Sequence, residues 1–62
     1  MKYYLWLDAD GRPLSKALPY EDESERMAEE ARPPAGAAAI RAGTKEQLKA
    51  LYGLTDEDFL EP

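Results

Sequence analysis

The sequence contains no cysteine and no histidine, and these two absences exclude most of the side-chain chemistry that operates near neutral pH. Without cysteine the chain forms no disulfide, thiolate zinc site or iron–sulfur cluster. Without histidine it has no imidazole to act as a general base or as a metal ligand. Carboxylates and hydroxyls remain as reactive groups, and their pattern alone assigns no named function.

Long apolar runs are also lacking. The longest run of large apolar residues, Tyr3 to Leu7, is far shorter than the ~20 residues that cross a bilayer. It is also too short for the core of a secretory signal. We therefore expect a soluble cytoplasmic protein without membrane contact. A length of 62 residues predicts one domain, spanning residues 1–62, near the lower size limit for a core without metal or disulfide.

The charge is predominantly negative, with a formal net value of −5, and it is concentrated in two blocks. Residues 21–32 hold six acids against Arg26 and Arg32, and residues 53–62 hold four acids against no base. Such blocks are typical of solvated surfaces that steer association. The pattern indicates contacts with other molecules, not a reaction.

Met1 to Leu18 predicts a β-hairpin. The residues that follow Met1 alternate in polarity and are rich in aromatic side chains, which favours a strand over a helix. Asp8 to Gly11 supplies the turn, because glycine adopts the positive φ that tight hairpins need. Arg12 to Leu18 is expected to return as the second strand, and Pro19 closes it.

The next part of the chain predicts a helix and a third strand. A helix from about Asp22 to Ala31 begins at a spacing that resembles a capping box, and two prolines follow it. Met27 is expected to anchor its thin apolar side to the core. Ala37 to Ala42 is expected to form a short strand beside the hairpin.

The C-terminal part has the clearest helix signals. Thr44 and Gln47 have the spacing of a capping box, and Gly53 is a left-handed stop. The apolar stripe of this helix consists of Leu48, Leu51 and Tyr52. Thr55 then begins a short helical turn. The predicted fold class is therefore α+β in the order ββαβα, with a hairpin and a short third strand packed on two helices and a short C-terminal helical turn.

Thr44 to Phe59 contains the cadence T-x-E-Q-L-x-x-L-x-G-L-T, which resembles the first helix and turn of helix-turn-helix DNA-binding repressors. The resemblance implies a second helix that presents basic or amide side chains to the bases. This chain instead has four acids there, Asp56, Glu57, Asp58 and Glu61. Because acids repel the duplex, we expect two capped helices joined by a glycine turn, and no direct nucleic-acid binding.

Asp8-x-Asp10-Gly11 resembles the opening of a calcium-binding loop. An EF-hand loop needs glycine at its sixth position and a bidentate acid at its twelfth. Counted from Asp8, the glycine falls too early and Pro19 stands in place of the acid. This segment is therefore expected to be a hairpin turn and not a metal site.

The serines and carboxylates offer no convincing catalytic group. Ser15 is adjacent to Lys16, but consecutive strand residues point to opposite faces. Ser24 lies among acids at the start of a helix. Paired carboxylates catalyse only in a cleft that desolvates one of them, and so small a chain has little room for such a cleft. We expect no catalysis, no cofactor and no metal.

The candidate partner-binding residues lie on one sheet face and on the first helix. If Tyr3, Leu5 and Leu7 face the helices, Tyr4 and Trp6 emerge on the opposite, uncovered face, where aromatic side chains often bind partners. The alternative is that Trp6 lies in the core, or that arginine and lysine stems cover it. The acids of the first helix are either a solvated face or a contact for a basic partner, namely Glu21, Asp22, Glu23, Glu25, Glu29 and Glu30.

We therefore expect a small, acidic, non-catalytic module or inhibitor that binds another protein with a basic surface. One alternative is a nucleic-acid mimic that occupies a basic groove, as small acidic proteins of phages and mobile elements do. Another is a structural homo-oligomer. A charge mimic should weaken steeply as salt rises, whereas an aromatic anchor should respond little. Concentration-dependent sedimentation would identify the oligomer.

Overall fold

A computed structural model describes residues 1–61, which form a three-stranded antiparallel sheet, two helices and a 3-10 turn. The elements in chain order are β1 (Lys2–Leu7), β2 (Leu18–Tyr20), α1 (Glu23–Glu30), β3 (Ala39–Thr44), α2 (Lys45–Tyr52) and the 3-10 turn (Asp56–Asp58). The strand order in the sheet is β2-β1-β3, so β1 is central. The predicted α+β class and element order are confirmed.

The turn after β1 forms at the predicted residues. Gly11 has a φ of 79°, and its N–H donates to the Asp8 carbonyl at 3.0 Å. The Asp8 carboxylate also accepts from the N–H groups of Asp10 and Arg12, each at 2.9 Å. Asp8 therefore closes the turn, in the manner of an Asx turn.

The second strand was predicted to cover Arg12 to Leu18, whereas β2 covers Leu18–Tyr20. Leu18 is its first residue, and Pro19 lies inside it instead of closing it. The Leu14 N–H donates to the Trp6 carbonyl at 2.9 Å. The even-numbered residues of β1 therefore form their backbone hydrogen bonds on the side of the return strand. Pro19 is opposite Tyr3, where the ladder requires no donor. The prediction for this strand was wrong because that position tolerates proline.

The third strand lies two residues later than predicted at each end. It covers Ala39 to Thr44 and pairs with β1 along its whole length, from the Leu7–Ala39 pair to the Lys2–Thr44 pair. Its last residue is also the N-cap of α2. The strand and the helix are therefore directly connected.

Helix α2 has the predicted caps. Thr44 Oγ1 accepts from the Gln47 N–H at 3.2 Å, and Gln47 Oε1 accepts from the Thr44 N–H at 2.9 Å. Gly53 ends the helix with a φ of 65°. The predicted apolar stripe is only partly buried, because Leu48 is in the core whereas Leu51 is 55% exposed.

The C-terminal segment turns back to the sheet and does not form a second long helix. After the 3-10 turn, Phe59 is extended, and it forms a parallel bridge with Ala17. The Leu60 N–H donates to the Ala17 carbonyl at 2.8 Å, and the Ala17 N–H donates to the Asp58 carbonyl at 2.8 Å. The likeness to a helix-turn-helix is therefore limited to its first helix and turn.

The sheet carries a hydrophobic cluster on each face. The cluster beneath α2 consists of Tyr3, Leu5, Leu7, Ala17, Leu48 and Phe59. The cluster on the other face consists of Tyr4, Trp6 and Tyr20, with Leu18, Ala37 and Ile40 packed against it. The residues of β1 from Tyr3 to Leu7 are all buried, and they alternate between the two clusters.

The expectation that both helices cover one sheet face is wrong. Helix α2 covers the face of Leu5, whereas α1 and the segment that follows it lie over the face of Tyr4 and Trp6. Tyr4 is 5% exposed and Trp6 is 8% exposed. The uncovered aromatic face predicted from the sequence therefore does not exist in the described residues, and the alternative that places Trp6 in the core is correct.

Candidate functional site

Helix α1 lies beside β2, and its least exposed residue is charged. Arg26 is the least exposed residue of α1, which contains no fully buried residue. Its Nε donates to Glu23 at 2.8 Å and its Nη1 donates to Glu30 at 2.5 Å. Met27, which was expected to anchor the helix, is 61% exposed. The expectation for Met27 is therefore wrong, since Arg26 is less exposed than Met27.

The first predicted contact acid, Asp22, is the N-cap of α1. Its Oδ1 accepts from the Glu25 N–H at 3.1 Å and from Ser24 Oγ at 2.5 Å. These two hydrogen bonds, the one from Ser24 above all, hold the pKa of the Asp22 carboxyl below its usual value. Asp22 therefore stabilises the helix start, where a negative charge is also favoured by the helix dipole.

A groove of about 370 Å³ runs between β2 and α1 and is named the acidic groove. Its lining residues are Tyr4, Pro19, Tyr20, Glu25, Ala28 and Glu29. Glu25 and Glu29 lie one helical turn apart, and within residues 1–61 neither of them forms a salt bridge. Like charges at this spacing destabilise a helix. The groove therefore combines aromatic rings with two carboxylates that have no cationic partner in the described chain.

Both tyrosines that line the acidic groove have a raised pKa, mainly because they are buried. Burial raises the pKa of Tyr4, and the nearby Glu29 carboxylate raises it further. Burial likewise raises the pKa of Tyr20, with a second contribution from Glu23. Both phenols therefore stay neutral near pH 7, and each tyrosine is only 5% exposed.

The structure divides the predicted site residues into three sets. Tyr4, Glu25 and Glu29 are brought together in the acidic groove. Asp22, Glu23 and Glu30 form hydrogen bonds or ion pairs within α1. Trp6 lies farther along the sheet beside Pro33 and Ala37, and Glu21 is exposed near Lys2.

Besides Ala28, the lining residues Pro19 and Tyr20 of the acidic groove were not predicted as site residues. Pro19 was expected to end the second strand, and Tyr20 had no expected role. Pro19 and Tyr20 shortly precede the Asp22 cap in the sequence. This position could have indicated that they lie beside the helix, because the end of a strand that leads directly into a helix lies near the start of that helix. A predicted strand through Tyr20 would have identified them.

The second acidic block lies on the opposite face of the sheet, and two of its four acids, Asp56 and Glu61, are paired with lysines. Lys45 Nζ lies 3.1 Å from Glu61 Oε1 and 3.5 Å from Asp56 Oδ1. Lys49 also pairs with Asp56 and is the main cause of the lowered pKa of that carboxyl. The two acidic blocks therefore do not form one continuous surface.

Residues 1–61 contain no group of three or more side chains placed to hold a metal ion, and no polar or charged residue in this range is buried. The carboxyl groups with a shifted pKa, Asp22, Glu23 and Asp56, all have it lowered. A general acid requires the opposite shift. Asp22, Glu23 and Asp56 are therefore ionised near pH 7.

No helix in the described part of the chain combines the length and apolarity needed to span a membrane. A scan against models of known protein families finds no match, and searches of curated proteins and of solved structures find no significantly similar chain. The function is therefore inferred from the geometry of the site.

Proposed function

We propose that this protein is a non-catalytic module that binds a basic surface of another protein, with a lysine or arginine side chain of the partner held in the acidic groove. The pair Glu25 and Glu29 carries the proposal. A cation between these carboxylates would remove their mutual repulsion and form charge-assisted hydrogen bonds. Tyr4 and Tyr20 line the same groove but are each only 5% exposed, so the two carboxylates would make most of the contact. Binding is therefore expected to stabilise α1.

The exposed side of α1 supports a protein partner. Met27 is 61% exposed, and Ala28 beside it is exposed as well. Methionine is common at binding surfaces because its flexible, polarisable side chain adapts to different neighbours. The surrounding acids would attract a basic partner over a distance, and Met27 would then add apolar contact.

The arrangement of charge favours one defined contact over the mimicry of a nucleic acid. A mimic needs carboxylates spread along one surface, whereas the two acidic blocks here lie on opposite sheet faces. In the C-terminal block, Asp56 and Glu61 pair with lysines. The acidic groove instead places two carboxylates without a salt bridge, Glu25 and Glu29, beside two tyrosines.

The test compares two variants that change net charge equally. Glu25→Gln with Glu29→Gln removes the charge of the acidic groove, whereas Glu46→Gln with Glu57→Gln removes the same charge from exposed positions in α2 and the 3-10 turn. The probe is acetyl-Gly-Arg-Gly-amide, titrated against the isotope-labelled chain, and its uncharged citrulline analogue is the ligand control. We expect amide shifts at Glu25, Ala28 and Glu29 with the arginine peptide only. These shifts should vanish in the first variant and persist in the second.

Capture from lysate of the source cells then examines the natural partner. The variant with Glu25→Gln and Glu29→Gln should lose the captured protein, and the variant with Glu46→Gln and Glu57→Gln should keep it. Equal binding of the citrulline peptide would refute the proposal. Equal loss of the partner in both variants, with a steep dependence on salt, would instead support a charge mimic.

A further inference from the structure

Strand β3 is the free edge of the sheet. It has six residues, contains no proline and has β1 as its one neighbour in the described sheet. The opposite edge is protected, because β2 has three residues, includes Pro19 and is preceded by the bridge between Ala17 and Phe59. Long unprotected edges are templates for pairing with another strand.

The backbone of β3 directs two sets of hydrogen-bonding groups away from the sheet. The Trp6 carbonyl accepts from Leu14, so Trp6 bonds away from β3. Ile40 is opposite Trp6 and therefore belongs to a non-hydrogen-bonded pair. The N–H and C=O groups of Ile40, and of Ala42 two residues later, consequently point to the open edge.

The side chains along this edge have a definite chemistry. Arg41 and Leu51 border a groove of about 420 Å³ between β3 and α2, which is also lined by Ala42, Gln47, Leu48 and Ala50. Within residues 1–61 Arg41 has no carboxylate at salt-bridge distance, in contrast to Lys45 and Lys49. Leu51 is 55% exposed beside it. An unpaired cation and an exposed leucine thus lie beside open backbone donors and acceptors.

We propose that the free edge of β3 binds an extended acidic segment of a partner protein, which adds to the sheet as a further antiparallel strand. Residues of the segment opposite Ile40 and Ala42 would form the backbone bonds, and the residue between them would place a carboxylate against Arg41. This surface is distinct from the acidic groove in position and in charge. It therefore goes beyond the proposed function and does not depend on it.

A second copy of this chain is a poorer occupant of the edge. β3 contains no acidic residue, so the edge of a second copy would present only its own Arg41. A symmetric pair that joins Ile40 to Ala42 of the other copy would set the two arginines directly opposite, where like charges destabilise a sheet. The net charge of −5 on each copy adds repulsion. The chemistry of Arg41 therefore favours an acidic partner strand.

The probe is the capped peptide acetyl-Thr-Val-Glu-Val-Thr-amide, titrated against the isotope-labelled full chain. We expect shifts and slowed hydrogen exchange at the amides of Ile40 and Ala42. Replacing the glutamate of the peptide by glutamine should weaken binding about two- to fivefold, as for an exposed ion pair. N-methylation of both valines should abolish binding, because it removes the donors that face β3. The Arg41→Glu variant should prefer the peptide with lysine in place of glutamate.

Several results would overturn the proposal. The first is that the glutamate peptide does not bind at millimolar concentration. The second is that the N-methylated peptide or the glutamine peptide binds as well as the original peptide. The third is that the amide shifts occur only on surfaces other than the β3 edge. Sedimentation of the protein without peptide provides the remaining check. A concentration-dependent dimer that protects Ile40 and Ala42 would assign the edge to self-association instead.

Discussion

The Tyr20 hydroxyl donates to the Glu23 carboxylate at 3.4 Å, across the junction between β2 and α1. Arg26 donates to the same carboxylate at 2.8 Å. One acid therefore joins the strand to the helix and holds Arg26 toward the sheet. Because α1 has no buried residue, this polar junction is a principal attachment of the helix. Segments with little buried apolar contact open most readily, so α1 is expected to exchange its amide hydrogens faster than α2.

Replacing Glu23 by glutamine should lower the pKa of Tyr20 toward its ordinary value of 10.0, although burial will still raise it. A neutral amide neither repels the phenolate nor stabilises the phenol as strongly. An NMR titration of the tyrosine rings measures this effect. The Glu29→Gln variant is the matched control, since it should change Tyr4 instead. An identical response of both tyrosines to either substitution would contradict the assignment.

The start of α1 should be sensitive to acid. In the folded state the pKa of Asp22 lies below its ordinary value of 3.8. The stability that the Asp22 carboxylate adds to the fold is therefore fully present above pH 3.8, and it is lost as the pH falls through the folded pKa. Circular dichroism should show helix loss in that range. The Asp22→Asn variant keeps a capping side chain that does not titrate, and it should flatten this part of the curve. Ser24→Ala removes the 2.5 Å hydrogen bond to Asp22 and should move the midpoint to higher pH, whereas an unchanged midpoint would count against the cap.

Trp6→Ala should lower the free energy of unfolding by about 3–5 kcal/mol, the usual cost of removing a large buried aromatic side chain. Trp6 is 8% exposed and packs with Tyr4 and Ile40, so its loss leaves a cavity. Urea denaturation provides the measurement. Met27→Ala removes an exposed side chain and should change stability by no more than about 0.5 kcal/mol. Equal stability of the Trp6→Ala variant and the unchanged protein would place Trp6 outside the core.

Gly43→Ala should disturb the capping box of α2. A Cβ at this position would lie 2.9 Å from Gln47 Oε1, so the Gln47 side chain must move away and release the Thr44 N–H. Loss of a cap bond costs about 1 kcal/mol. In a Gln47→Ala background the cost should nearly disappear, because the bond is already absent. Thermal unfolding of the four proteins in this double-mutant cycle measures the coupling, and strictly additive effects would disprove it.

The parts of the fold that local chemistry decides were predictable from the sequence. Thr44, Gln47 and Gly53 satisfy or end backbone bonding within one turn, so their roles do not depend on distant residues. The turn from Asp8 to Gly11 is of the same kind. These signals specified α2 and the hairpin turn, and the Asp22 cap specified the start of α1.

The side of the sheet on which each helix lies was not predictable in this way. Alternation along β1 shows that two faces exist, but it does not say what covers each of them. Arg26 was counted as a surface charge, although its long aliphatic stem can replace Met27 as the inner residue. Trp6 is covered in part by irregular chain around Pro33 and Ala37, which has no periodic pattern. Glu25, Glu29 and Tyr4 were named as candidate residues from the sequence, but that they line one groove together was not predicted.

Trp6 is the sole tryptophan of the chain, and it lies on the same sheet face as α1. Its fluorescence consequently reports on that face alone, whereas the edge-on contact of Tyr3 with Phe59, with ring centroids 5.0 Å apart, belongs to the other. Tryptophan emission and the ring NMR signals of Tyr3 and Phe59, followed over the same temperature range, would report on the two sides of β1 separately. Superimposed traces would mean that the central strand transmits loosening from one side to the other.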